Sequence, residues 1–143
     1  MLYERDECII KMENNKLIFS KNEANKIINK LDFEKGNGLI SVIAQDFNNN
    51  QVLMLAFANK EAMKLTLTTG YVHYWSRSRN ELWKKGSTSG HLQLVKEILI
   101  DCDVDAILIK IDQIGSACHK NYRSCFFRQI NNNNFKIILQ KQD

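Results

Sequence analysis

Apolar residues occur along the chain in short runs that alternate with polar residues, a period typical of β-strands. The runs GLISVIAQD at 38–46 and QVLMLAFA at 51–58 flank FNNN, and this arrangement predicts a β-hairpin. HLQLVKEILI at 91–100 alternates in the same way, and AILIKI follows at 106–111. Further strands are predicted over YVHYWSRS, CFFRQI and FKIILQ, and NNNN is predicted to form a turn.

Two helices are predicted from capping residues and buried stripes. Ser20 precedes a helical segment at 23–31, and Asn59 precedes a second one that stops at Gly70. The apolar stripes are Ala24, Ile27, Ile28 and Leu31 in the first segment, and Ala62, Met63 and Leu67 in the second. CIIKM and KLIFS around ENN predict a small hairpin before the first helix. We therefore expect an α+β fold with a mixed or antiparallel sheet and two short helices.

The composition is that of an ordinary globular domain. The 143 residues, 44% of them hydrophobic, are enough for one core. The opening segment MLYERDECII carries charges early and lacks the apolar region of a signal peptide, and no run is long enough to cross a membrane. We therefore expect a cytoplasmic protein with reduced thiols, which favours metal or catalytic roles for its four cysteines over disulfides.

The net charge of +4 is mild and is at most a weak indication of nucleic-acid binding. Between residues 71 and 91, one acid, Glu81, accompanies four cations: Arg77, Arg79, Lys84 and Lys85. A local basic loop of this kind suits a small ligand that carries phosphate as well as it suits a polymer.

Three aspartates, Asp101, Asp103 and Asp105, alternate with other residues at the corner between two predicted strands. In an extended chain their side chains point to one side, and three like charges repel one another unless a cation joins them. Carboxylate oxygens suit Mg²⁺ or Ca²⁺. A calcium-binding EF-hand loop would need Gly and Glu where Ala106 and Asp112 stand, so that motif is excluded. Two aspartates would favour a plain turn, whereas three in strict alternation favour a metal site.

Three cysteines, Cys102, Cys118 and Cys125, are separated by fifteen and six residues. Thiolates suit zinc, and three protein ligands are typical of catalytic zinc sites, which leave one position for water. No C-x-x-C pair is present, and buried core cysteines explain the spacing equally well. His119 adjoins Cys118 and so points away from it in an extended chain, which favours proton transfer over a role as fourth ligand.

The other two histidines lie in different settings. His73 belongs to an apolar, aromatic run and is expected to be a core residue. His91 closes GSTSGH, in which two glycines and three hydroxyl residues follow Lys84 and Lys85. Amides, hydroxyls and cations together suit a phosphate, although by itself the segment favours an ordinary surface loop.

Taken together, these motifs resemble the phosphoribosyl-AMP cyclohydrolase family. HYWSRSRNELWKKGSTSGH, DCDVDA and ACHKNYRSCF carry the resemblance, and LDFEKGNGLISVIAQD and VLMLAFANKEAMKLTLTTG are similar to the opening segments of that family. The resemblance runs over residues 31–128 in the expected order. It divides the chain into an N-terminal extension at 1–30, with a hairpin and a helix, and a cyclohydrolase domain at 31–143.

The resemblance implies a hydrolase of histidine biosynthesis that opens the adenine ring of phosphoribosyl-AMP at the N1–C6 bond, using a zinc-activated water and Mg²⁺. It implies zinc ligands at Cys102, Cys118 and Cys125, and a magnesium site at Asp101, Asp103 and Asp105. His119 is the candidate for proton transfer. The residues implied in substrate binding are Ser76, Arg77, Ser78, Arg79, Lys85, Ser87, Thr88, Ser89 and His91.

The resemblance also implies an intertwined homodimer with active sites at the subunit interface. A separate phosphoribosyl-ATP pyrophosphohydrolase is expected to supply the substrate, and neither nucleic acid nor a membrane is expected as a partner. The sequence departs from the usual family pattern in three places: Ser87 replaces Glu, Lys120 and Asn121 replace Thr and Gly, and Ser41 replaces Pro. Because the metal motifs are intact, we expect an active enzyme.

Two other functions remain open from the residues alone. A structural zinc module that binds nucleic acid through residues 71–85 would need a fourth permanent zinc ligand and an affinity that falls steeply with salt. A nucleobase deaminase would release ammonia, but its H-x-E and P-C-x-x-C motifs are absent.

Overall fold

The computed structural model describes residues 12–142. The described chain begins with a hairpin of β1 (Met12–Glu13) and β2 (Lys16–Leu17), whose two turn asparagines both have positive φ. Positive φ at both positions is the geometry of a type I′ turn, which matches the twist of the flanking strands. The hairpin predicted around ENN is therefore confirmed over these residues, and its part at 8–11 lies outside the described residues.

Helix α1 (Lys21–Ile28) begins at the predicted cap. The Oγ of Ser20 accepts a hydrogen bond from the amide of Glu23 at 3.1 Å, and the Glu23 carboxylate accepts one from the amide of Ser20 at 3.0 Å. This reciprocal capping box satisfies two amides that the first helical turn leaves without partners. Ala24 and Ile28 are buried, so the helix packs into the main core although it lies within the segment predicted to be an extension.

Helix α2 (Lys60–Thr69) also has both of its predicted ends. The Oδ1 of Asn59 accepts from the amide of Ala62 at 2.8 Å, and Gly70 ends the helix with a φ of 77°. The predicted stripe of Ala62, Met63 and Leu67 is buried. Over residues 12–142, no helix has the length and apolar character needed to cross a membrane.

A four-stranded mixed sheet in the order β4–β3–β8–β7 forms the centre of the fold. Strands β3 (Ile40–Asp46) and β4 (Val52–Ala58) form the predicted antiparallel hairpin. Strand β8 (Ala106–Gln113) pairs in parallel with β3 and antiparallel with β7 (Gln93–Ile100). Two helices with a mixed sheet confirm the predicted α+β class.

Two smaller hairpins accompany the sheet. One joins β5 (His73–Ser76) to β6 (Glu81–Lys84), and the other joins β9 (Arg128–Asn131) to β10 (Asn134–Ile137). The predicted asparagine turn connects β9 and β10.

Some strand boundaries differ from the prediction. Strand β5 ends at Ser76 because residues 77–80 turn into β6, a strand that the apolar pattern did not indicate. The run CFFRQI is extended only from Arg128, because the amide of Cys125 donates to the carbonyl of Leu53 at 2.7 Å instead of joining the β9–β10 ladder.

One face of the central sheet is closed by both helices and carries the core. A short 3₁₀ helix (Glu34–Gly36) leads the chain into β3 at one end of this layer. The inward residues of β3 and β8 are at most 2% exposed: Ile40, Val42, Ala44, Ile107, Ile109 and Ile111. Because side chains alternate along a strand, the residues between them face the other way.

That other face carries an apolar row across all four strands. Leu55, Ile43, Leu108 and Leu99 are paired neighbours on β4, β3, β8 and β7. Leu55 is 50% exposed and Leu99 is 44% exposed. Contiguous exposed apolar surface of this kind marks an interaction site in soluble proteins.

Candidate functional site

The GSTSGH segment lines a cavity of about 540 Å³. The cavity walls come from β6, from this segment and from the loop that follows β8. Eight of the predicted site residues line it: Arg79, Lys85, Ser87, Thr88, Ser89, His91, Cys118 and His119. The structure therefore brings most of the substrate-binding candidates together with one thiol and the proton-transfer candidate.

Two glycines allow the close packing around His91. Gly86 has a φ of 83°, and a Cβ there would lie 2.4 Å from the carbonyl carbon of His91. Gly115 has a φ of 70°, and a Cβ there would lie 2.5 Å from Cδ2 of the His91 ring. The Oγ of Ser116 lies 3.2 Å from Nδ1 of the same ring. Only glycine combines this backbone conformation with so little space, so the position of His91 depends on both glycines.

A buried chain of hydrogen bonds supports this wall from the core side. The Tyr74 hydroxyl donates to Oε1 of Gln93 at 2.6 Å, and Nε2 of Gln93 donates to Oε1 of Gln113 at 2.8 Å. Nε2 of Gln113 donates to the carbonyl of His91 at 3.4 Å. None of Tyr74, Gln93 and Gln113 is more than 4% exposed. No sequence motif indicated this chain of hydrogen bonds, because a glutamine in an alternating strand is expected to face solvent.

His73 is a core residue, as predicted. It is 8% exposed, and its Nδ1 lies 2.8 Å from the carbonyl oxygen of Tyr71. Burial lowers the pKa of His73, so the ring is neutral at physiological pH.

Cys118 lines the cavity, and Cys125 lies beside Cys118. Burial raises the pKa of the Cys125 thiol to about 11, and the charge of Cys118 adds to the increase. The amide of Lys120 donates to Sγ of Cys118 at 3.4 Å. Two adjacent soft donors of this kind fit a zinc ion.

Asp101, Asp103 and Asp105 converge as predicted, but through a tight turn and not through extended alternation. Oδ1 of Asp101 accepts from the amides of Asp105 at 3.1 Å and Ala106 at 3.2 Å, and Val104 has a φ of 56°. One oxygen of each carboxylate lies within 4.8 Å of the others, and no further trio of His, Cys, Asp or Glu in residues 12–142 meets this distance. Three carboxylates so arranged fit Mg²⁺.

Lys35 lies among these carboxylates, although no sequence motif indicates it. Its Nζ is 3.0 Å from Oδ2 of Asp103 and 3.3 Å from Oδ2 of Asp105. The hydrogen bond from Lys35 lowers the pKa of Asp103. At Asp105, desolvation and the neighbouring aspartates raise the pKa, and their effect is larger than the lowering by Lys35. Lys35 and Asp103 are 68 positions apart, so only the fold brings the cation to this turn.

Arg77 lies at the aspartate end of the molecule. It lines a hollow of about 410 Å³ together with Lys35, Ser41 and Asp105. Its guanidinium stacks on Phe57, 3.9 Å from the ring centroid. Among the described residues, no carboxylate lies within salt-bridge distance of Arg77. A stacked guanidinium without an acidic partner suits a phosphate.

The two serines of the SRSR motif line neither cavity. Oγ of Ser76 accepts from the amide of Arg79 at 3.2 Å and from its Nε at 3.3 Å, and Oγ of Ser78 lies 3.4 Å from Oγ of Ser76. The serines therefore orient Arg79 toward the larger cavity, while Arg77 reaches the smaller one.

The aspartate turn and the cysteine pair lie at opposite ends of the sheet. The carbonyl of Asp105 accepts a hydrogen bond from the amide of Ser41, where β3 and β8 begin. The amide of Cys125 donates to the carbonyl of Leu53, which lies near the end of β3. Seven or eight residues of strand span about 20 to 25 Å. Cys102, which is exposed in the aspartate turn, therefore does not join Cys118 and Cys125 within one chain.

Comparisons with known proteins agree on one family. The sequence profile of the phosphoribosyl-AMP cyclohydrolase family matches residues 54–127. A phosphoribosyl-AMP cyclohydrolase of Methanococcoides burtonii is 63% identical over 95 residues, which are 66% of this chain and 78% of that protein. One from Clostridium botulinum is 59% identical over 102 residues, covering 71% and 93%, and one from Methanothermobacter thermautotrophicus is 48% identical over 121 residues, covering 85% and 88%. All of the predicted site residues fall between positions 54 and 127.

Proposed function

Because the chain belongs to the phosphoribosyl-AMP cyclohydrolase family of enzymes, we propose that it hydrolyses the N1–C6 bond of phosphoribosyl-AMP in histidine biosynthesis. The cavity of about 540 Å³ carries this assignment, since the GSTSGH loop, Cys118 and His119 all face it. A concave site with a few convergent polar groups is what a small-molecule enzyme needs.

The reaction adds water across one ring bond. The water oxygen joins C6, the C6–N1 bond breaks, and C6 keeps its exocyclic amino group as a carboxamide. Both protons leave the water oxygen as it becomes the carbonyl: one reaches N1, and the other is released because the N1-substituted ring in its amino form is a cation and the opened product is not. The exocyclic nitrogen stays on C6, so no ammonia is released. The protein must therefore supply a nucleophile, a proton carrier and a means of holding the phosphates.

His119 is the proposed proton carrier. It directly follows Cys118, is exposed and lines the cavity. Imidazole changes its charge nearest to neutral pH, so one residue can accept a proton from water and deliver it to N1.

Cys102, Cys118 and Cys125 are the proposed zinc ligands, and Asp101, Asp103 and Asp105 the proposed magnesium ligands. Zinc in a site with an open position lowers the pKa of water to near 7 and so supplies a nucleophile at neutral pH. The soft thiols and the hard carboxylates keep the two ions apart by their ligand preferences. For the carboxylates to bind Mg²⁺, Lys35 must move away from Asp103 and Asp105.

The substrate carries two phosphate groups, and each chain offers two cationic hollows. Ser87, Thr88, Ser89 and His91 are proposed to hold one phosphate, together with Arg79. Arg77 is proposed to hold the other in the smaller hollow.

A homodimer is proposed in which the apolar rows of two chains pack against each other. A two-fold axis that runs across the strands reverses their direction, so the aspartate end of one chain meets the cysteine end of its partner. Both the exposure of Leu55 and Leu99 and the separation of Cys102 from the other thiols support this arrangement. The complete site then contains the larger cavity of one chain and the smaller hollow of the other.

The chain is proposed to work in the cytoplasm, beside a separate phosphoribosyl-ATP pyrophosphohydrolase that makes its substrate. To test this function, zinc-loaded protein is incubated with Mg²⁺ and phosphoribosyl-AMP, and the change in ultraviolet absorbance that accompanies ring opening is followed. We expect turnover without ammonia, and no change with AMP, which lacks the N1 substituent. Ammonia release, or no change with either compound, would exclude the proposed reaction.

A further inference from the structure

Lys85 is a buried cation on the wall of the larger cavity. The residue is 8% exposed, and its Nζ donates a hydrogen bond of 2.5 Å to the carbonyl of Ala117. A lysine is almost never this deeply buried unless its charge has a partner. In the described part of the chain, no carboxylate comes within salt-bridge distance of Lys85.

The thiols of Cys118 and Cys125 are neighbours of the Lys85 ammonium. Burial lowers the pKa of Lys85, and the charges of Cys125 and Cys118 oppose this effect by favouring the ammonium form. The carbonyl that Lys85 binds belongs to Ala117, whose successor in the chain is Cys118. The side chain is therefore hydrogen-bonded to the backbone beside Cys118, and it lies close enough to both cysteines for their charges to act on it.

We propose that Lys85 is a positioning residue of the thiol site, holding the Ala117–Cys118 backbone in place and balancing the negative charge of the ligated cysteines. This inference rests on the proposed function, which assigns zinc to these thiols. It differs from the substrate-binding role that the family resemblance implies for Lys85, because the ammonium donates to the main-chain carbonyl of Ala117.

Simple charge counting explains why such a residue is needed. Three thiolates around one divalent ion leave a net charge of about −1 in a partly buried place. An uncompensated charge there is costly, and a nearby ammonium offsets it. Groups that support metal ligands in this way typically change metal affinity by about 10- to 100-fold when they are removed.

The test replaces Lys85 with methionine, which has a similar length and no charge. Lys84→Met is the matched control, because Lys84 lines the same cavity but places its Nζ over the Tyr71 ring, 4.5 Å from the centroid. The affinity for zinc is measured by competition with a chromophoric chelator, and the sulfur-to-metal absorption of the cobalt-loaded protein reports the thiol geometry. We expect Lys85→Met to weaken zinc binding about 10- to 100-fold and to alter the cobalt spectrum, with Lys84→Met matching the wild type.

A second variant separates charge from hydrogen bonding and covers the case in which Lys85→Met does not fold. Lys85→Gln keeps an N–H donor without the charge, so an intermediate loss of affinity is expected. Zinc affinity equal to wild type in whichever variant folds would overturn the inference. So would a raised KM with normal zinc binding, which would return Lys85 to the phosphate site. A wild-type protein that binds no zinc would instead remove the zinc assignment itself, and the inference with it.

Discussion

Arg123 donates a hydrogen bond of 2.7 Å to Oδ2 of Asp46, across 77 positions of sequence. Its other terminal nitrogen donates to the carbonyls of Gln113 at 2.9 Å and Gly115 at 2.8 Å. Asp46 is the last residue of β3 and is 2% exposed. One guanidinium thus ties the loop that follows β8 to the end of the neighbouring strand, and this loop leads directly into Cys118.

Asp46→Asn should destabilise the protein at neutral pH and reduce its sensitivity to acid. Burial alone would raise the pKa of Asp46, but the hydrogen bond from Arg123 and the amides of Asn48 and Asn49 outweigh it and hold the pKa below its ordinary value. The contribution is therefore present above the unfolded-state pKa and is lost as pH falls through the lower folded-state pKa. We expect a loss of about 2 to 3 kcal/mol in the free energy of unfolding at pH 7.

Urea unfolding between pH 2 and 7 measures this effect. The wild type and Asp46→Asn should converge in stability once the pH falls below the lowered folded-state pKa of Asp46, where the carboxyl is neutral in both the folded and the unfolded chain. A constant difference in unfolding free energy across this range would show that the carboxylate charge contributes nothing.

Single replacements of the three proposed zinc ligands should each abolish tight zinc binding. Cys102→Ser, Cys118→Ser and Cys125→Ser each remove one soft donor from a site that has three. Metal content after dialysis is the measurement, and Cys8→Ser, at a position outside the described residues, is the control that should keep about one zinc per chain. Full zinc occupancy in Cys118→Ser would rule out the assignment.

Asp103→Asn should weaken Mg²⁺ binding and leave zinc in place. It removes one hard ligand and also the contact of 3.0 Å with Lys35. Activity is titrated with Mg²⁺ in both proteins, with Asp112→Asn on β8 as a control outside the turn. If the Mg²⁺ curves of wild type and Asp103→Asn superimpose, the three aspartates form only a turn.

Two inactive variants should restore activity when they form mixed dimers. Cys118→Ser disables one end of a chain and Cys102→Ser disables the other end. If sites are shared, a mixed dimer has one site that carries both substitutions and one site that carries neither. We therefore expect up to about half of wild-type activity per mixed dimer from two inactive parents, because one of two symmetric sites survives.

The mixed dimers are isolated with two different affinity tags before assay. The double variant Cys102→Ser/Cys118→Ser, paired with either single variant, is the matched control and should stay inactive. Verified mixed dimers without activity would show that each site is built within one chain or that no dimer is needed.

Gly115→Ala should displace the His91 ring and lower activity by at least about tenfold, since small misplacements at a reaction site can cost up to about 100-fold. The new Cβ would lie 2.5 Å from Cδ2 of His91. Gly38→Ala is the matched control, because Gly38 also has a positive φ, 96°, but no atom lies within 4 Å of a Cβ placed there. Equal activity losses in the two variants would attribute the effect to backbone strain and not to His91.

Local sequence patterns predicted much of the fold because they act over short distances. The cap at Ser20, the stop at Gly70 and the hairpin of β3 and β4 all depend on neighbours within a few residues. The thiols were different: their spacing suggests one cluster, but the eight residues of β8 carry the chain from one end of the sheet to the other. The roles of Lys35 and Gln93 could not be predicted from local patterns, because their hydrogen-bond partners are distant in sequence.

The backbone conformation of Val104 is part of what shapes the aspartate turn. A β-branched residue with a φ of 56° is an uncommon and strained arrangement, which costs about 1 to 3 kcal/mol. The rest of the fold must impose it, through the two amides bound by Asp101 and the carbonyl of Val104 that accepts from Asp32 at 2.8 Å. These hydrogen bonds hold the three carboxylates together in spite of the strain, so the proposed magnesium ion would meet a turn that is already shaped and would not have to order a flexible loop.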